Sequence, residues 1–278
     1  MTRSRPRSKR GRLQRPANLA ATPATDHRDM TTFQQQTIVI ESQFRGLPDL
    51  AHGGYLAGML ATALDAAEAE VRLRRPVRIG RALDLTRTGD DAAELWDGDT
   101  LLARGARTEV SVDVPTPVAP ADAEAAANRF LGRHWHAFPD CFVCGTGRAA
   151  GDGLRVFPGP VDGRGLVAAP WVPPGDGVVS NALVWAAFDC AQLWSLIASA
   201  PANTTDRVVT AALETRVEQP VAAGEPHVVM AWPIGRDDRS WVAGAALFRP
   251  SGELSAVGLQ RAAVATWGVP LGRAHWSR

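Results

Sequence analysis

Three groups of residues in this sequence have the types and spacing to do chemistry. Asp189 stands in the middle of the run SNALVWAAFDCAQLWSLIASA, with Trp185, Phe188, Leu193 and Trp194 around it at helical spacing. A lone carboxylate on such an apolar face is costly to desolvate unless it is partnered or used, and an ionised one is a ready general base for water. The bland alternative is an Asp satisfied by backbone N–H groups or an arginine. His52-Gly53-Gly54 opens the run HGGYLAGMLATALDAAEAEV. Glycines there let the backbone approach a ligand, and the first N–H groups of a helix are free to stabilise a carbonyl oxygen that becomes an oxyanion. The same glycines also suit a plain strand-to-helix turn.

The third group is His134, His136, Cys141 and Cys144, an HxHx4CxxC pattern offering two nitrogens and two thiolates. That donor set suits zinc, but one CxxC with two histidines at strand spacing is a weak signature, and the expectation is that no metal is bound. Cys190, next to Asp189, reads as buried filler and not as a nucleophile, since no histidine neighbours it in sequence. The nucleophile elbow GxSxG, the P-loop and GxGxxG are all missing from the chain.

The elements that must position these residues occur twice. TIVIESQF reads as a strand, HGGYLAGMLATALDAAEAEV as a helix, and VRLRRPVRIG, ALDLTRTGDDAAELWDGD and TLLARGARTEVSVDV as a meander. Residues 115–133 are rich in Pro and Ala and read as a linker with a short helix at ADAEAAANRF. The pattern then restarts: LRVFPG and RGLVAAPWVP as strands, the Asp189 helix, and four more strands from VVTAALETRVEQPVAAG to ELSAVGLQRAAVAT. RRPVRIG aligns with EQPVAAG at the Pro-Val and the closing Gly, and WDGDTLLARGARTEV with RPSGELSAVGLQRAAV. The halves are a divergent duplication: a first repeat over 31–114, a linker over 115–133 and a second repeat over 134–278. Aligning the two helices sets Ser180-Asn181-Ala182 opposite His52-Gly53-Gly54, which makes Asn181 a further binding candidate. Ala61 then falls opposite Asp189, so only one of two equivalent sites keeps its carboxylate.

A long helix wrapped by an antiparallel sheet, duplicated in one chain, predicts an α+β double hotdog, in which each copy covers the open sheet edge of the other. At this point the chain resembles known families. CFVCGTGRAAGDGLRVFPG (141–159) looks like the opening of the second half in phenylacetate-pathway-like hotdog thioesterases. GGYLAGML and the layout of the second half are similar to the acyl-CoA thioesterase II family, over roughly residues 43–265. That family uses an Asp, Thr and Gln trio, and the resemblance carries these onto Asp189, onto Thr210, ten residues before Pro220, and onto Gln260, eight after Gly252. It implies hydrolysis of acyl-CoA-type thioesters by water activated at Asp189 and oriented by hydrogen bonds from Thr210 and Gln260, with His52, Gly53, Gly54 and Asn181 on the substrate and oxyanion side and no cofactor. The chain departs from the family in a shorter spacing from Asp189 to Thr210 and in Gln219-Pro220 where the family has Arg-Pro. A non-catalytic acyl- or CoA-binding hotdog protein is the alternative.

Composition bounds the partners. With 278 residues, 45% of them hydrophobic, the chain is long enough for a real core. Residues 1–29 hold eight basic residues against two acidic ones, a surplus of six against +1 for the whole chain, which leaves the remainder at −5. This Pro-rich stretch reads as a disordered basic arm over residues 1–30, and nucleic acid is not the expected partner. No apolar run of membrane-spanning length and no secretory h-region are evident, and three cysteines are a poor disulfide framework. The expectation is a cytoplasmic protein that acts off the membrane; a homo-oligomer stays open.

Overall fold

Alternation of buried and less buried residues sets up some of the strands. In the segment EAEVRL, Ala69 and Val71 are buried while their neighbours are less so, and the segment forms β2 (Glu68–Leu73). The computed structural model describes residues 35–89 and 91–273, so the basic arm lies outside the described residues. The first half contributes β1 (Gln35–Val39), α1 (Gly53–Ala63), β2, β3 (Ala82–Thr88), β4 (Ala92–Asp97) and β5 (Thr100–Arg107). After α2 (Pro120–Asn128) come β6 (Gly159–Val161), β7 (Leu166–Trp171), α3 (Asn181–Ser199), β8 (Arg207–Val217), β9 (His227–Arg236), β10 (Ser240–Phe248), β11 (Leu254–Ala265) and the short β12 (Val269–Pro270).

These strands form one sheet in the order β1-β3-β4-β5-β2-β8-β11-β10-β9-β7-β6, with β12 added beside β8. All pairings are antiparallel, and β2 meets β8 at the centre through Val71 opposite Leu213. From that centre outward the order reads alike on both sides: β2 and β8, β5 and β11, β4 and β10, β3 and β9, β1 and β7. The turns agree. The N–H of Ala51, ahead of α1, donates to the carbonyl of Val77, and that of Val179, ahead of α3, donates to Val221. Gly80 and Gly224 close those turns at φ of +74° and +76°, the left-handed region that a side chain disfavours.

Helices α1 and α3 cross at two small residues. A Cβ on Gly54 would fall 2.9 Å from the Cα of Ala186, and one on Gly58 only 2.4 Å from the Cα of Ala182. Backbone meets backbone at both points, so nothing there can move aside cheaply. Alternate residues of β7 and β9 face opposite ways: Val167, Ala169, Val229 and Ala231 pack in the core that holds α3, while Leu166, Ala168, Val228 and Met230 pack with Ala123 and Ala126 of α2. The segment read as a linker thus covers the second face of the sheet.

Four expectations need correction. The first helix stops at Ala63, and EAEV joins β2, because sheet pairing on two sides outweighs the helical propensity of Ala and Glu. β2 does not continue into a meander with β3; it pairs with β5 and β8, leaving β3-β4-β5 as the hairpin run. LRVFPG is not a strand up to Gly159, since the N–H groups of Leu154 and Val156 bond to carbonyls of Phe142 and Val143 in the cysteine loop. Finally, α3 is long and apolar enough to cross a membrane by length and composition, but 78% of that window is buried inside the fold.

The α1–α3 crossing yields a prediction. Gly58→Ala should lower stability by roughly 1–3 kcal/mol, the range for overpacking a tight contact, read as a drop in the urea midpoint without a change in slope.

Candidate functional site

Asp189 sits two turns into α3, where the N-terminus of α1 meets it. That crossing is close because residue 54 is a glycine, and it brings the first-turn amides of α1 to a carboxylate on another helix. The N–H of Gly54 donates to Asp189 Oδ2 at 2.7 Å. On the other side, β8 and β11 are neighbours in the sheet, and each sends one polar side chain toward α3. The hydroxyl of Thr210 donates to Asp189 Oδ1 at 2.7 Å, and the amide of Gln260 donates to the same oxygen at 2.5 Å. Gln260 Nε2 also lies 3.2 Å from Thr210 Oγ1 and 3.3 Å from the carbonyl of Asp189. Asp189 is 5% exposed and Gln260 1%, so these donors satisfy most of the carboxylate's hydrogen-bonding capacity.

His52 is the N-cap of α1. Its Nδ1 accepts from the Tyr55 N–H at 3.3 Å and lies 3.6 Å from Asp189 Oδ2, while Nε2 lies 3.2 Å from Cys190 Sγ. Burial pulls the imidazole pKa down, but the Cys141 sulfur and the Asp189 charge outweigh it and leave it raised. Hydrogen bonds from Cys144 and Cys190 hold the Cys141 thiol well below the ordinary range, whereas burial pushes the thiols of Cys144 and Cys190 well above it.

A cavity of about 180 Å³ opens beside these groups. Its polar end is formed by His52, Gly53, Asp189, Thr210, Cys141 and Cys190, and its walls by Leu47, Leu50, Leu56, Leu193, Trp194 and Val209. Arg74 and Arg75, both exposed, line the same cavity, as does Trp267. The N–H of Gly53 has no hydrogen-bond partner among the described residues and stands at the start of a helix, where such groups are free. The arrangement supplies a buried carboxylate with a free lone-pair position, a backbone donor and an apolar chamber.

The structure therefore brings together Asp189, Thr210, Gln260, His52, Gly53 and Gly54. It does not bring Asn181 to them: Asn181 opens α3 beside Gly58, at the far end of the helix crossing. The Gly54 amide is committed to Asp189, which leaves Gly53 as the glycine able to meet a substrate oxygen. The quartet His134, His136, Cys141 and Cys144 does not assemble as a set. His134 is exposed at the end of a short 3-10 turn, while His136 packs its ring against Phe130 and Trp194 and accepts the Phe138 N–H at Nδ1. The statement that Cys190 lacks a histidine neighbour is corrected by His52. That pair was readable in principle, because a glycine loop placed against Asp189 must also place its preceding residue near Cys190.

No family model matches the chain, and no curated protein matches it in sequence. Solved structures do. The tesB protein of Mycobacterium avium subspecies paratuberculosis superimposes with a TM-score of 0.57 at 12% identity, over 84% of this chain and 93% of that one. A conserved protein of unknown function with a hot dog fold from Alicyclobacillus acidocaldarius gives a TM-score of 0.55 at 12% identity, over 84% of this chain and 94% of the other. The fold is a hotdog fold. An acyl-CoA thioesterase II from Mycobacterium marinum is also similar, with a TM-score of 0.51 at 13% identity over 77% of this chain and 89% of that one. At such identities the likeness establishes the α+β hotdog architecture, while chemistry rests on the residues around Asp189.

The partly buried His136, also in the cavity wall, gives a pH prediction. Burial lowers the His136 pKa below its ordinary value near 6.5, so the folded state binds fewer protons there than the unfolded chain. Its contribution is full above about pH 6.5 and is lost as pH falls toward the folded pKa. Denaturation from pH 5 to 8 should show the wild type losing stability on acidification more steeply than His136→Gln, and parallel profiles would contradict the assignment.

Proposed function

We propose that this hotdog protein hydrolyses thioesters, with acyl-CoA-type esters as substrates and Asp189 as the general base. The observation that carries this reading is the convergence of Thr210, Gln260 and the Gly54 amide on one buried carboxylate beside an apolar cavity. An ionised carboxylate has about four lone-pair positions, and three are taken by these donors. The remaining one faces a water in the cavity. Thr210 and Gln260 hold the carboxylate in place while it takes the water's proton, the resulting hydroxide attacks the thioester carbonyl, and the Gly53 N–H meets the oxygen that becomes negative; the tetrahedral intermediate then collapses with cleavage of the C–S bond, and the leaving thiolate takes the proton back from Asp189.

The apolar walls suit an acyl chain. Arg74 and Arg75 supply positive charge on the same cavity, which fits a phosphorylated carrier such as CoA better than a neutral thiol. The matching strand order and paired turns support two fused hotdog repeats over 31–114 and 134–278, with the second supplying the Asp, Thr and Gln, and the first the glycine loop. Ala61 occupies the position equivalent to Asp189, so the reciprocal site lacks a base. Three free thiols fit the reducing cytoplasm as the place of action.

Asp189→Asn is nearly isosteric. The Gln260 amide can turn to present its Oε1, which has no partner in the native arrangement, so the variant should fold. Thiol release from a panel of acyl-CoA esters should fall by about 10²- to 10⁴-fold, the usual worth of a general base. Unchanged turnover in this variant would remove Asp189 from the role, and saturable binding of the panel without any turnover by the wild type would favour a binding protein. Arg74→Ala with Arg75→Ala should raise KM for acyl-CoA and leave KM for an uncharged short thioester unaltered.

A further inference from the structure

Two of the chain's three cysteines, Cys141 and Cys190, meet His52 at one point. Cys141 and Cys144 sit on a tight turn closed by the Gly145 N–H donating to the Cys141 carbonyl at 3.0 Å, and a Cβ at position 145 would lie 2.4 Å from that oxygen. Cys190 comes from α3, and His52 arrives from the N-cap of α1. The ligand atoms of His52, Cys141 and Cys190 all lie within 4.8 Å of one another. Cys141 Sγ and Cys190 Sγ are 3.7 Å apart, and His52 Nε2 is 3.2 Å from Cys190 Sγ. A disulfide needs sulfurs about 2.05 Å apart. Two thiolates on one tetrahedral zinc, each bonded at about 2.3 Å, stand about 3.8 Å apart, and an imidazole nitrogen stands about 3.5 Å from either. The observed separations match the second arrangement.

We propose that Cys141, Cys190 and His52 Nε2 form a zinc site with three protein ligands. Soft thiolates with one imidazole select zinc among the abundant divalent ions, and the fourth tetrahedral position is left to water. Each coordinated thiol gives up its proton to solvent. Ligation through Nε2 places the imidazole proton on Nδ1, so the contact from the Tyr55 N–H at 3.3 Å is given up when the ion binds. The ion pins the cysteine turn and the α1 N-cap onto α3, from three remote parts of the chain. This site differs from the HxHx4CxxC pattern visible in the sequence in taking His52 and Cys190 and leaving out His134, His136 and Cys144.

The test uses the full chain, purified reduced, stripped by a chelator and titrated with Zn²⁺ or Co²⁺. One ion should bind per chain, Co²⁺ should give near-ultraviolet thiolate charge-transfer bands with intense tetrahedral visible bands, and Zn²⁺ should raise the unfolding temperature. Cys141→Ser and Cys190→Ser should each weaken binding by more than the roughly 100-fold that outer-shell changes cause, while His134→Ala should bind as the wild type does. Wild-type protein that gives no thiolate band with Co²⁺ would overturn the proposal without recourse to any variant. Equal binding by the two serine variants would also overturn it, as the mark of adventitious metal on exposed groups. None of these readouts depends on thioester hydrolysis.

Discussion

The bond from the Gly54 N–H to Asp189 ties this structure together, because it couples a helix terminus of one half to the interior of a helix in the other. A buried carboxylate is tolerated only when donors surround it, and an N-terminal amide of a helix is both a free donor and the positive end of the helix dipole. Reaching it requires the two helix backbones to touch, which only glycine at 54 and small residues at 58, 182 and 186 permit. The same contact sets how α1 and α3 lie on the sheet. The central β2–β8 pairing then places β8, and with it Thr210, beside the carboxylate. Charge satisfaction, helix packing and sheet registry therefore meet at one residue.

The fold was legible in the sequence where local pattern and tertiary context agree. α3 is apolar on nearly every side because sheet and a second helix surround it, and its bounds came out almost as read. The legibility failed where pairing partners decide. EAEV has helical composition but lies between two strands, and LRVFPG has strand composition but finds its partners in a loop. Neither partner can be inferred from the segment itself. The role of α2 as a cover for the outer sheet face was equally invisible, because its small apolar residues, Ala123 and Ala126, carry little signal in composition.

The candidate site was legible for a different reason. Asp189 announced itself by being misplaced in an apolar run, the alignment of the two helices set Ala61 opposite it, and the resemblance to hotdog proteins gave it a glycine loop as neighbour. Thr210 and Gln260 are ordinary strand residues with no such signature, and only resemblance to a family singled them out. Asn181 shows the limit of the alignment argument. In a pair of equivalent halves, a residue matched to Gly53 belongs to the opposite site, the one with Ala61, and so cannot also serve Asp189.

That asymmetry explains how one chain can hold a polar site and a dry core under the same fold. Two carboxylates, one in each equivalent position, would place two desolvated charges within one pair of touching helices, each needing its own set of donors. The half with Ala61 instead packs Leu56, Leu60 and Leu64 with Trp185 into an apolar core. The polar groups concentrate on the opposite side, where His52, Cys141, Cys190, Asp189, Thr210 and Gln260 form one connected patch. Within that patch Asp189 and Cys190 are adjacent residues on a helix and so point in directions about 100° apart. One faces the sheet and its hydroxyl and amide donors; the other faces the cysteine turn. A single turn of α3 thus holds two adjacent polar groups that face different partners, with His52 close to both.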